Sequence, residues 1–204
     1  VALPLRGLSG LFGGLSAAVT LLAMVAAGAT LVTSAIDQAD PEATQASLMR
    51  RAAQALALIL PLPAGLAAWS VALRVIQYGW TPERMCAAAV VVGGLGYGAS
   101  YAVAVLRGAA WMAHIRRANV WMALGVIGLS ALWLTPVLDT NRISAQSQLA
   151  RYQASGDPAV LDLWAIRHWG LAGEAVIASL QETAATDPAL AARLADNADT
   201  SVAP

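Results

Sequence analysis

The residues able to do chemistry are few, and they gather in two short stretches. Arg74, Tyr78, Thr81, Glu83 and Arg84 lie in or beside the run YGWTPER at 78–84, and Arg142, Ser144, Ser147 and Gln148 fall in RISAQSQLAR at 142–151. Guanidinium groups beside hydroxyls and an amide suit contact with an anion such as a lipid phosphate, because Arg presents several donors in a rigid fork. A headgroup pocket of Arg74, Arg84, Arg142 and Ser144 is the enzyme-like reading of this set. A nucleophile is not expected, since neither Ser144 nor Ser147 has a His or Asp partner at fixed spacing. No HExxH, GxSxG, P-loop or paired-carboxylate pattern occurs in the chain. His114 and His168 stand in separate polar regions with no carboxylate or Cys at ligand spacing, so no metal site is expected. Cys86 is the single cysteine, which excludes an intrachain disulfide, and it reads as a small buried apolar residue. We assign no catalytic residue and no cofactor.

The elements that hold these residues are set by composition. Apolar residues make up 58% of the 204 and charged residues 12%, against about 45–50% and about 25% in an ordinary soluble domain. Twelve basic residues, all Arg, balance twelve acidic ones, so the chain has no strongly basic face and nucleic acid is excluded as a partner. No charged residue occurs between Arg6 and Asp37, Arg51 and Arg74, Arg84 and Arg107, or Arg117 and Asp139, gaps of 30, 22, 22 and 21 residues. About 20 apolar residues suffice for a helix to cross a hydrocarbon core of about 30 Å. These gaps predict an all-α polytopic membrane helix bundle with four transmembrane helices, near 11–33, 53–77, 83–106 and 119–138. The first is too long for a secretory h-region, and the Val1 start points to a segment of a longer chain.

Finer features agree with a bundle in lipid. Pro61 and Pro63 remove backbone donors and kink the second helix. Gly10 and Gly14, and Gly94 and Gly98, have the GxxxG spacing that lets helix backbones approach. The run GGLGYG lacks the preceding strand that a dinucleotide fingerprint requires. Inside the spans only mild polar groups remain, Thr20, Gln54, Ser70, Tyr97, Ser100, Tyr101, Ser130 and Thr135, and no charge that would mark a proton path. Arg residues divide five against five between the two sides, so orientation is undecided.

Beyond Asp139 the composition becomes that of a soluble chain. We divide the protein into a transmembrane region at 1–140, a small soluble or interfacial helical C-terminal tail at 141–196 and a disordered end at 197–204. Asp157-Pro158 and Asp187-Pro188 each read as an N-cap followed by Pro at the first helical position. The tail should form helices near 158–169, 172–183 and 188–196. Val160, Leu161, Trp164 and Trp169 would line one apolar face, and Val176, Ile177 and Leu180 another.

YGWTPER itself reads as a tight hairpin between two membrane helices. Gly79 takes the left-handed conformation, Tyr78 and Trp80 suit the headgroup zone, Thr81 caps the next helix, Pro82 opens it, and Glu83 sits at its positive end. Arg74 then snorkels toward phosphate or pairs with Glu83.

The run LRVIQYGWTPERM, followed by an apolar segment, a short basic loop, an apolar segment ending TPVLD and then RISAQSQLAR, resembles a bacterial family of multi-pass membrane proteins known as a domain of unknown function, DUF4153. The resemblance spans about Leu48 to Arg151 and is weaker on either side. It implies location in the bacterial inner membrane and further helices upstream, this chain being the C-terminal part, and it implies no reaction. The expected function is that of an integral membrane protein with a non-catalytic structural or regulatory, partner-binding role. A transporter or permease component is the alternative, and a membrane enzyme on lipid or envelope substrates is third. Expected partners are the lipid bilayer and either upstream helices or a second copy of the chain.

Overall fold

The computed structural model describes residues 17–36, 47–108 and 110–200. Among them every regular element is helical: α1 (Ala17–Ile36), α2 (Ser47–Ile59), α3 (Pro61–Tyr78), α4 (Pro82–Leu106), α5 (Trp111–Trp133), α6 (Thr140–Ser155), α7 (Leu163–Arg167), α8 (Gly170–Ala184) and α9 (Pro188–Thr200). Single 3-10 turns, Pro136–Leu138 and Pro158–Val160, precede α6 and α7. Gly10 and Gly14, the first residues of the expected 11–33 helix and residues 201–204 lie outside the described residues.

Among the described residues two helices are long and apolar enough to cross a membrane, Ser47–Tyr78 (α2 with α3) and Pro82–Leu106 (α4). A third is reached if Trp111–Trp133 and Pro136–Ser155 count as one broken span, while the apolar part of α1, Ala18–Ser34, is shorter. The described residues thus carry two to three candidate spans where charge spacing over the whole chain predicts four. Only a minority of each long span is buried within the protein. Leu62, Leu66, Trp69 and Ile76 on one, and Val90 and Val92 on the other, are exposed. Apolar patches of this extent are rare on soluble monomers and natural against lipid.

Several boundaries differ from expectation, for physical reasons. The fourth expected helix, 119–138, is instead Trp111–Trp133. It starts earlier because the basic stretch holding His114, Arg116 and Arg117 is itself helical. It stops earlier because Thr135 precedes a proline and is extended, at φ −96 and ψ 156. The expected 158–169 helix is a 3-10 turn followed by α7, since Asp157 caps only the turn and Asp162 caps the helix. The register therefore buries Leu163 and Ile166 beside Leu161 and Trp169, and leaves Trp164 65% exposed, off the face expected for it. Cys86 is exposed, not buried. Helix α6 has no counterpart among the expected tail helices. Its ends are nonetheless well marked: Asp139 accepts from the Arg142 N–H at 3.0 Å, and Gly156 closes it in the left-handed conformation.

The chain forms two compact units, one of 1–73 with 86–132 and one of 74–85 with 133–204. The first is organised around Val25, Val32, Ala57, Leu60, Ala64, Tyr101, Ala104, Trp111 and Ile115. Here α4 passes against the α2–α3 junction, and a Cβ on Gly98 would lie 3.1 Å from the Pro61 nitrogen. The second is organised around Ala145, Tyr152, Leu161, Ile166, Trp169, Val176, Leu180, Leu190 and Leu194, with α6, α7 and α9 all packing on α8. The hairpin turn 74–85 thus belongs with the tail.

Candidate functional site

The two polar stretches meet inside the second unit, and they meet at the end of a helix. The last carbonyls of any helix lack intrahelical partners, and the negative end of its dipole collects there. At the end of α3 the Val75 carbonyl accepts from the Gly79 N–H at 2.8 Å, a closure that Gly79 permits at φ 75. The remaining groups are met by side chains. Arg151 Nη2 donates to the Gln77 carbonyl at 2.8 Å, and Gln148 Nε2 to the Tyr78 carbonyl at 3.0 Å. Arg84 Nη1 donates to the Tyr78 and Gly79 carbonyls at 3.2 and 2.8 Å, its guanidinium 5.5 Å from the Tyr78 ring centroid. The Trp80 N–H donates to Ser147 Oγ at 3.0 Å.

Each contributor is placed by a local rule. Ser144, Gln148 and Tyr152 recur at four-residue intervals along α6 and are all buried, while Ser147 and Arg151 flank that row. The turn residues follow the expected hairpin: Thr81 Oγ1 accepts from the Arg84 N–H at 3.4 Å, and Pro82 opens α4. Room at the junction is limited, since a Cβ on Gly79 would come within 2.8 Å of Arg151 Cδ and 3.1 Å of Gln148 Nε2.

Of the residues singled out in the sequence, Tyr78, Thr81, Arg84, Ser147 and Gln148 are brought together here. Arg74, Glu83 and Arg142 are exposed, and Ser144 is fully buried with its Oγ unpartnered. Gln77, Gly79 and Arg151 complete the junction. Arg151 carries a visible signal, the Arg ending RISAQSQLAR; Gln77 takes part only through its carbonyl, which no side-chain pattern announces.

A second feature lies wholly in the first unit. A cleft of about 1080 Å³ runs between α1, α4 and α5, walled by Leu22, Val25, Val90, Val92, Met122, Val126 and Leu129, with Gly93, Gly94, Gly96 and Gly125 along it. Thr33, Tyr101 and Asn119 line it at one end. Tyr101, 1% exposed, donates to Asn119 Oδ1 at 2.6 Å and lies 2.9 Å from Thr33 Oγ1, which itself donates to the Ala29 carbonyl at 2.7 Å. The Tyr97 ring meets Tyr101 edge to face at 6.0 Å. Gly94, taken from the sequence as a helix-packing residue, faces Leu22 across this cleft, where its Cβ would lie 3.1 Å from the Leu22 side chain.

The histidines occupy neither feature. His114 Nδ1 pairs with the Ala110 carbonyl, and His168 Nδ1 pairs with the Trp164 carbonyl while its ring stacks on Trp164 at 4.2 Å.

An all-helical chain with lipid-length apolar helices and a polar junction built on a helix end defines a membrane protein. Residues 9–180 match the family described as Domain of unknown function (DUF4153), and the chain belongs to that family. No curated protein and no solved structure matches it.

Proposed function

We propose that this is a non-catalytic integral protein of the bacterial inner membrane, structural or regulatory, which holds its helical tail in position for a partner. One observation carries this reading: Arg84, Ser147, Gln148 and Arg151 are spent on main-chain groups of the hairpin turn rather than offered to a substrate. Charge-assisted caps on exposed helix carbonyls fasten one element to another. The tail so fastened presents Trp164 and Leu171, the latter 84% exposed, for a partner to cover. We read the chain as crossing the bilayer four times, with α1 and α5 as the outer pair, and as joined there by upstream helices or a second copy. The test places a photo-crosslinking residue at 164 or 171 of the full-length protein in its own membrane. A single discrete protein adduct shared by both positions is the expected result. No adduct beyond lipid at either position would defeat the reading.

A transport role is the second reading, favoured by the interruption at Leu60–Pro61 within the α2–α3 span and by the cleft beside α4. It requires solute flux in liposomes holding the full-length protein, and loss of that flux in Pro61→Ala, Pro63→Ala; flux equal to that of empty liposomes would remove it. A lipid- or envelope-directed enzyme is the third, and needs a change in lipid profile when Arg74 and Arg142 are replaced by Ala.

A further inference from the structure

The cleft of the first unit carries a hydrogen-bonded polar cluster at one end and, Ser130 excepted, an apolar lining along α5 beyond it, the order found in a lipid. Its lining runs from Ala89 to Tyr101 on α4, twelve helical steps or ~18 Å of helix. Thr33 near the end of α1, Tyr101 in the last part of α4 and Asn119 in the first part of α5 all sit at one end. The proton inventory at that end leaves something over. Thr33 gives its proton to Ala29, Tyr101 gives its proton to Asn119 Oδ1, and the two amide N–H protons of half-buried Asn119 have no acceptor in the cluster. An amide donor left unpaired in hydrocarbon costs roughly 2–7 kcal/mol. An acceptor is therefore called for at this depth, with apolar surface continuing beyond it.

We propose that the cleft binds one acyl chain of a glycerolipid, its ester carbonyl accepting from the Asn119 amide and its chain lying along Gly93 and Gly125. The alternative occupant, a further helix, fits less well. Its main-chain carbonyls are already engaged along its own axis, so none is offered to the Asn119 amide. The polar end lies toward the end of α4, where Tyr101 is five residues before Leu106, which matches the order of a lipid in a leaflet, ester outward and chain inward. This inference stands apart from the tail's role and survives its failure.

Gly93 and Gly125 make the test clean, because a Cβ at either meets nothing within 4 Å. The full chain is placed in nanodiscs of phosphatidylethanolamine and phosphatidylglycerol containing a trace of a phospholipid with a diazirine on its acyl chain. Photolysis should label the cleft peptides of α1, α4 and α5. Gly93→Leu and Gly125→Leu should reduce that labelling about tenfold, the effect of ~1.4 kcal/mol, and Asn119→Leu about three- to tenfold, as for one lost hydrogen bond. Leu66→Phe, on the exposed face of α3, should leave it unchanged. Helix content and monodispersity are checked for each variant, and the two glycine variants decide the matter should Asn119→Leu fail to fold. Labelling spread evenly over all exposed apolar faces and indifferent to Gly93→Leu and Gly125→Leu would overturn the proposal. So would crosslinks from the cleft to a helix of a second copy.

Discussion

Gln148 shows how a single residue decides the junction. It is 2% exposed and its amide donates to the Tyr78 carbonyl, which Arg84 also reaches, so Gln148→Ala removes one of two donors and should destabilise the second unit by about 0.5–1.5 kcal/mol, read from denaturant unfolding in detergent micelles. Gly79→Ala acts on the other side of the contact. It forces a side chain into φ 75 and against Arg151, and should cost at least about 1–2 kcal/mol. The same assay checks both, and a double variant should be less than additive, since the two share one contact. At this scale the sequence was informative about local roles only. Gly79, Thr81 and Pro82 act as their types and spacing indicate. The partner of Arg84 is different: the guanidinium turns back to the Tyr78 and Gly79 carbonyls. Gln148 and Arg151 reach residues about seventy positions away, a distance at which spacing carries no signal.

Helices were legible where charge was absent and turn chemistry explicit. The α4 span from Pro82 to Leu106 follows from the gap between Arg84 and Arg107 and from Thr81-Pro82. Helix α5 starts eight residues before the charge-free stretch suggests, because Arg116 and Arg117 continue the helix, Arg being a good helix former. Helix α6 leaves no aliphatic periodicity in the sequence, because its buried row, Ser144, Gln148 and Tyr152, is polar. Contact between elements yields two further expectations. A Cβ on Gly173 would overlap the Ile166 carbonyl oxygen, so Gly173→Ala should separate α8 from α7 and expose Trp169, read as a red shift and increased quenching of its fluorescence. Gly98→Val should press on the Leu60–Pro61 backbone, which cannot rotate away, and destabilise the first unit by about 1–3 kcal/mol.

For the whole molecule, the division into two units implies two separable responses. The second unit carries a titratable link between α6 and the start of α9, where the Tyr152 hydroxyl donates to Asp187 at 2.8 Å. That bond, with those from the Leu190 and Ala189 N–H groups, holds the Asp187 carboxyl below the usual range. A depressed carboxyl stabilises the fold fully above its ordinary value of about 3.9 and loses that effect as pH falls through the lower folded value. Acid should therefore loosen the second unit, and Tyr152→Phe should move its acid transition, followed by circular dichroism, to higher pH. The membrane character of the chain was legible from charge spacing alone. The Thr33–Tyr101–Asn119 cluster was not, since it joins three helices through uncharged groups.

The central claim is that the two polar stretches form a fastening between the hairpin turn and α6, and hydrogen exchange across 77–85 tests it most directly. In the full-length protein the Trp80 amide, held by Ser147, and the Gly79 amide, held by Val75, should exchange slowly. In Gln148→Ala, Arg151→Ala their protection should fall at least about tenfold while α4 beyond Met85 keeps its own. Unchanged protection across 77–85 in that variant would contradict the account.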